Sequence, residues 1–215
     1  MKPMKITLPL IGLTLFFFIN LNAQNFELGL KTGFGIANTH ITDLPDAESH
    51  SDIFSPISSY SINGVMIYKG KGIWGFSIEP GIVQKGNFSH KGNNMENKST
   101  LQYLQIPVLM DLNVQDKLFF SIGPEMNYLL DAKNKSDYGT VKITDLTRDF
   151  ELAGVVGGTY NILDYLDIGI RYSHGITQTS DKVFWVLDEL NENPMKMKNY
   201  NQYLQLFIKL KLIKL

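Results

Sequence analysis

Apolar and polar side chains alternate, residue by residue, along eight separate stretches of this 215-residue chain. A period of two is typical of β-strands that have one apolar and one polar face. We therefore predict strands over Phe26–Ile36, Ser59–Lys69, Ile73–Gly86, Ser99–Leu112, Lys117–Leu130, Thr147–Asn161, Tyr165–Gln178 and Tyr200–Leu212. All eight exceed the usual strand of about 5 or 6 residues. They are long enough for tilted membrane strands, which need about 9–11 residues.

Long and short connections alternate between the predicted strands. The short ones are "GKG", "NVQD" and "ILD". The long ones are "ANTHITDLPDAESHSDIFSPIS", "NFSHKGNNMENK", "DAKNKSDYGTVKITDL" and "TSDKVFWVLDELNENPMKMKN", the last with a short helix or flap expected in "KVFWVLDELNENP". An up-and-down meander would collect all long loops at one end, as outer-membrane barrels do. We predict an all-β fold, an eight-stranded antiparallel up-and-down transmembrane β-barrel.

Alternation alone does not say which face lines the interior, because a soluble lipocalin-like barrel would place its apolar face inside. The stretch "LDYLDIGIRYSHGIT" favours the membrane barrel, since Asp167 and Arg171 share its polar face. A basic side chain facing lipid at mid-depth costs about 2–4 kcal/mol. We therefore expect Arg171 to point inward. Aromatic residues near the predicted strand ends also suit interfacial girdles: Phe26, Phe34, Trp74, Tyr128, Tyr160, Tyr172 and Tyr203.

The first residues have the plan of a secretory signal peptide. Lys2 and Lys5 precede an apolar run over Ile6–Leu21, and the small residue Ala23 follows it. We predict a cleaved signal peptide over residues 1–23 and a barrel domain over 24–215. The chain contains no cysteine, and its net charge of -1 provides no basic field for nucleic acid. The expected location is the bacterial outer membrane, with the long loops outside and the N-terminus in the periplasm.

Several motifs, taken in order, resemble the PorT-like outer-membrane β-barrel family, the small porin-family barrels of the Bacteroidetes type. They are "LGLKTGFGIAN", "GFSIEPGIVQKG", "LQYLQIPVLM", "FSIGPEMNYLL", "AGVVGGTYNI", "LDIGIRYSHGIT" and "YLQLFIKLKL". The resemblance implies an eight-stranded barrel of OmpX or OmpA architecture and transfers no catalytic residue. The family's namesake is associated with protein secretion across the outer membrane.

Ten charged residues fall on the predicted inward face, in equal numbers of each sign. They are Glu27, Glu79, Glu125, Glu151, Asp167, Lys31, Lys85, Arg171, Lys209 and Lys211. Side chains just fill the interior of an eight-stranded barrel, and a buried charge needs a partner. We expect a closed structural network in which Arg171 bridges some of Glu79, Glu125 and Glu151. An ion pathway or an active site is the alternative reading of the same residues.

The four histidines fall at the expected long-loop end, His40, His50 and His90 in loops and His174 at the top of a strand. The first loop adds the acids Asp43, Asp46, Glu48 and Asp52. Their spacing matches no known zinc or calcium site, so we predict no metal and no cofactor. The glycines of "GFGIA" and "GVVGG" precede no helix and are expected to serve strand packing rather than phosphate binding.

The leading hypothesis for function is a non-enzymatic outer-membrane barrel with a side-chain-filled lumen. Its long surface loops would have a structural or partner-binding role in the cell envelope. One alternative is an accessory component of a secretion apparatus. A further alternative is a small-solute channel or a membrane-embedded enzyme. The expected partners are outer-membrane lipid, the barrel-insertion machinery during assembly, and other envelope or secretion proteins.

Overall fold

The computed structural model describes residues 25–42, 54–70, 72–91, 95–180 and 198–214. The predicted signal peptide and the segment "KVFWVLDELNENP" lie outside these residues. The described strands are β1 (Phe26–Thr42), β2 (Phe54–Ser55), β3 (Ile57–Lys69), β4 (Trp74–Ile78), β5 (Gly81–Lys91), β6 (Met95–Gln115), β7 (Leu118–Ser136), β8 (Gly139–Lys142), β9 (Phe150–Leu163), β10 (Leu166–Gly175) and β11 (Lys198–Lys214). A short 3-10 turn spans Thr144–Leu146. Within the described ranges, no helix is long and apolar enough to cross a membrane.

The sheet closes on itself because β1 pairs antiparallel with both β3 and β11. Around the ring, each wall strand pairs with its neighbours in the chain. β4 and β5 form one wall strand that is interrupted at Glu79 and Pro80, since proline has no N–H to donate. Backbone bonds continue across the break, from Gly64 N to Pro80 O at 2.9 Å and from Glu79 N to Pro107 O at 3.0 Å. The wall is therefore a ring of eight strands.

Most wall strands continue farther toward the long-loop end than the alternation predicts, whereas β9 begins at Phe150 and β10 ends at Gly175, inside their predicted bounds. β1 extends to Thr42, and β6 and β7 contain 21 and 19 residues. The prediction of a loop over residues 131–146 is wrong, because β7 and β8 form a hairpin there with Ser136 opposite Gly139. With these extensions β1, β6 and β7 are longer than the roughly 9–11 residues that cross a membrane. In the β7–β8 hairpin the side chains over residues 133–142 are exposed or half-buried on both faces, so backbone pairing holds the extension there, whereas Ala37 and Ile41 in the extension of β1 still face the interior and are buried.

Apolar side chains cover the outside of the ring, and polar side chains fill much of its inside. On β10, Ile170 is 50% exposed whereas Arg171 is 3% exposed. Leu206 and Ile208 on β11 are likewise exposed, and Gln205 between Leu204 and Leu206 is buried. This is the orientation expected for a membrane barrel. Tyr203 contradicts its predicted place in an outer girdle, since it is buried and shares the inward face with Asn201 and Gln205.

Toward the long-loop end, an apolar cluster fills the interior. Its buried members are Ala37, Ile57, Val83, Leu101, Tyr103, Leu129, Ala132 and Tyr203, with Phe88 and Ile143 packed against them. These residues come from most wall strands, so the cluster ties opposite sides of the ring together. The charged residues of the inward face lie between this cluster and the short-turn end, or directly against it.

Candidate functional site: the charged interior of the ring

Arg171, Lys31 and Glu79 form a buried group that we name the Arg171 cluster. Arg171 on β10 donates from Nη1 and Nη2 to the two carboxylate oxygens of Glu79, at 2.5 and 3.0 Å. Lys31 on β1 also donates to Glu79. The ring of Phe207, from β11, lies 5.4 Å from the Arg171 guanidinium carbon and 5.2 Å from Lys31 Nζ. One carboxylate therefore serves two cations, and the aromatic ring adds cation–π contacts.

Lys85, Glu125 and Glu151 form a second buried group, the Lys85 cluster. Lys85 Nζ donates to Glu125 at 3.0 Å and to Glu151 at 2.9 Å. It also lies 5.6 Å from the ring centre of Tyr103, in the apolar cluster. Here one cation serves two carboxylates, which is the reverse of the Arg171 cluster. Together the two clusters contain three acids and three bases, so their formal charges cancel.

Neutral side chains donate further hydrogen bonds to the carboxylates of the Lys85 cluster. Asn127 donates to Glu125 at 3.0 Å and to Glu151 at 3.2 Å, and Ser173 donates to Glu125 at 3.1 Å. Asn201 donates to Glu151 as well. Such donors stabilise a carboxylate that has been removed from water.

A second set of amide and hydroxyl side chains connects β3, β6 and β11. Gln105 Nε2 donates to Asn63 Oδ1 at 3.0 Å, and Asn63 Nδ2 donates to the Glu79 carbonyl at 2.8 Å. Ser61 donates to Gln205 at 2.9 Å. The predicted interior network contains charged residues only and does not include these neutral ones. Their inward positions in the alternating pattern are the signal that would have found them.

Two further ion-pair groups lie at the short-turn end. Glu27 accepts from Lys69 at 2.7 Å, and Asp167 pairs with Lys209 at 3.1 Å and Lys211 at 2.8 Å. Residues of both groups line a cavity of about 290 Å³, together with Asp111, Asp116 and Ser121. The ten predicted residues all lie inside the ring, but they form separate groups rather than one network. Arg171 hydrogen-bonds to Glu79 and not to Glu125 or Glu151 among the described contacts.

The histidines do not form a common site in the described residues. His40 lies within β1 and His90 within β5, although loops were predicted for both. The ring centres of His40 and His174 are 6.3 Å apart, and His174 Nδ1 is 3.1 Å from Tyr172 Oη. The acids Asp43, Asp46, Glu48 and Asp52 and the residue His50 lie outside the described ranges. Within those ranges, no group of three or more His, Cys, Asp or Glu residues could hold a metal ion.

Comparison with known proteins agrees with this architecture. Residues 22–181 match the family model described as "Outer membrane protein beta-barrel domain". The chain belongs to this family. It is therefore an integral protein of the bacterial outer membrane. No curated protein matches the sequence.

Neisserial surface protein A shares the fold, and two further outer-membrane proteins are similar to this chain at low sequence identity. Neisserial surface protein A matches with a TM-score of 0.52 and 10% identity over 86% of this chain and 97% of its own. Ail of Yersinia pestis matches with a TM-score of 0.40 and 12% identity over 85% of this chain and 99% of its own. OprG of Pseudomonas aeruginosa matches with a TM-score of 0.44 and 11% identity over 88% of this chain and 98% of its own. The PorT-like assignment, and the secretion role that it implies, stay predictions.

Proposed function

We propose that this protein is a non-enzymatic, non-conducting outer-membrane barrel that presents its long-loop end to partners outside the cell. The observation that carries the proposal is the filled interior. The Arg171 cluster and the Lys85 cluster have balanced charges, and the apolar cluster occupies the interior beyond them. An ion pathway would favour one sign of charge and a continuous polar lining.

The extension at the long-loop end supports a role in display. β6 and β7 continue well beyond the length that a membrane requires, and β7 joins β8 in a hairpin. Tyr138 in the turn of this hairpin is 84% exposed, and Val141 on β8 is 63% exposed. Exposed apolar residues on a rigid support are typical of a surface that binds another protein.

Epitope insertion tests which end of the barrel faces the exterior. One tag is placed between Asp137 and Tyr138 in the β7–β8 turn, and a matched tag follows Asp164 in the β9–β10 turn. Antibody should label the first tag on intact cells and the second only after the outer membrane has been permeabilised. Labelling of the Asp164 tag on intact cells would contradict the proposed orientation, and with it the role in display.

A further inference from the structure

An apolar groove crosses the outer surface of the ring over β1, β11, β10 and β9, in the half nearer the short turns. Its volume is about 840 Å³, within the range of about 300–1,000 Å³ usual for ligand sites. Its walls are the side chains of Phe34, Leu206, Ile208, Ile168, Ile170 and Tyr160. At Gly158 no side chain occupies the space between these walls.

The packing of the chain itself does not require a glycine at position 158. A Cβ atom built there would meet only Phe120 Cε1, at 3.9 Å, which is an ordinary contact. Gly169, on the neighbouring strand, differs, because its Cβ would lie 2.3 Å from Phe207 Cζ inside the ring. The absence of a side chain at Gly169 thus makes room for the Phe207 ring inside the barrel, whereas the absence of a side chain at Gly158 leaves the outer groove open.

Charged residues lie where the groove reaches the short-turn end. Leu118 lines the groove as the first residue of β7, and the exposed Lys117 precedes it. Asn161 N donates to the Lys117 carbonyl at 2.8 Å, which brings the β6–β7 turn beside the end of β9. The exposed Asp164 lies in the next turn, three residues beyond Asn161. The two turns at this end of the groove therefore carry an exposed cation and an exposed anion.

We propose that the groove binds one acyl chain of a zwitterionic phospholipid. The headgroup would place its phosphate near Lys117 and its ammonium group near Asp164. The wall faces the membrane, so an acyl chain is the apolar group that this surface meets. Tyr160, at the same end, is an aromatic residue of the kind that favours the headgroup level. The inference goes beyond the proposed function, since it requires neither a filled lumen nor a partner at the long-loop end.

Native mass spectrometry tests the inference. The full protein is reconstituted in nanodiscs of phosphatidylethanolamine and phosphatidylglycerol and then released gently into detergent. The wild-type protein should retain phosphatidylethanolamine, and Gly158→Leu should lose it. Gly154→Leu is the matched control, because Gly154 also faces outward on β9, its Cβ would meet only Ile176 Cδ1 at 3.8 Å, and it does not line the groove. This control should retain the lipid.

The headgroup contact has a separate readout. Lys117→Gln should weaken retention of phosphatidylethanolamine, and Lys117→Arg should preserve it. Leu206→Trp fills the groove from another strand and should reproduce the loss if Gly158→Leu does not fold. Equal retention by the groove-filling variants and Gly154→Leu would overturn the inference, as would a wild-type protein that retains no phospholipid.

Discussion

Arg171 on β10 and Glu79, beside β4, are 92 positions apart in the sequence and form a bidentate ion pair across the interior of the ring. The planar guanidinium matches both carboxylate oxygens, which makes this geometry stronger than a single contact. Because Glu79 also accepts from Lys31, one carboxylate joins three strands of the wall. Loss of this pair should therefore disturb the interior strongly.

Replacement of Glu79 by alanine should destabilise the barrel strongly. The variant leaves Arg171 and Lys31 buried without their carboxylate, and loss of one partner of a buried pair costs about 3–5 kcal/mol. Urea unfolding of the protein refolded in lipid vesicles measures the change. Lys133→Ala is the control, because the exposed Lys133–Asp131 pair should be worth less than about 1 kcal/mol. Equal losses in the two variants would contradict the role of Glu79.

Lys85→Met should also destabilise the barrel, because Glu125 and Glu151 would then face each other without the cation that both contact. The expected cost is about 3–5 kcal/mol in the free energy of unfolding. The double variant Lys85→Met with Glu151→Gln removes one of the two unpaired charges and should recover part of that loss. A double variant less stable than Lys85→Met alone would argue against charge as the cause.

A cation introduced on the outer wall should lower the free energy of unfolding by an amount that depends on its depth in the membrane. Ile170→Arg places the charge on the outer face opposite the buried network and should cost about 2–4 kcal/mol of unfolding free energy. Leu163→Arg, at the last residue of β9 beside a short turn, should cost no more than about 1 kcal/mol. The same unfolding assay in vesicles compares them. If both variants cost the same, the outer face is not the lipid-facing surface assigned to it.

Two glycines on neighbouring strands should respond differently to a methyl group. Gly169→Ala would bring a Cβ within 2.3 Å of Phe207 Cζ and 2.4 Å of the Gly158 carbonyl. The resulting shift of ring and backbone should cost about 1–3 kcal/mol. Gly158→Ala has room and should change the stability by less than about 0.5 kcal/mol. Similar costs at the two positions would show that Phe207 does not pack on Gly169 as described.

The membrane-crossing part of the wall was predictable from the sequence because two different solvents act on its two faces. The lipid-facing side favours apolar residues such as Ile168 and Ile170, and the interior favours polar ones such as Asp167 and Arg171. The period of two is therefore visible in the sequence. Beyond the bilayer this signal ends. The β7–β8 hairpin has water on both sides, and its polar sequence resembles a loop although its backbone is paired.

The specific partners inside the ring were not predictable in the same way. Alternation places Arg171, Glu79, Glu125 and Glu151 on the inward face, but it does not give the strand tilt that decides which of them meet. Tyr203 was expected in an outer girdle because aromatic residues are common there. Its shared face with Asn201 and Gln205 indicates the interior instead, which shows that position in the pattern is more informative than residue type.

Single-channel recording tests the central claim, that charged and apolar side chains together fill the interior. The full protein is inserted into planar lipid bilayers from detergent, and a wide porin in the same membranes confirms that insertion and detection work. With the Arg171 cluster, the Lys85 cluster and the apolar cluster in place, the wild-type protein should give no stepwise current above that of lipid alone. Steady, reproducible single-channel steps from the wild-type protein would contradict the claim.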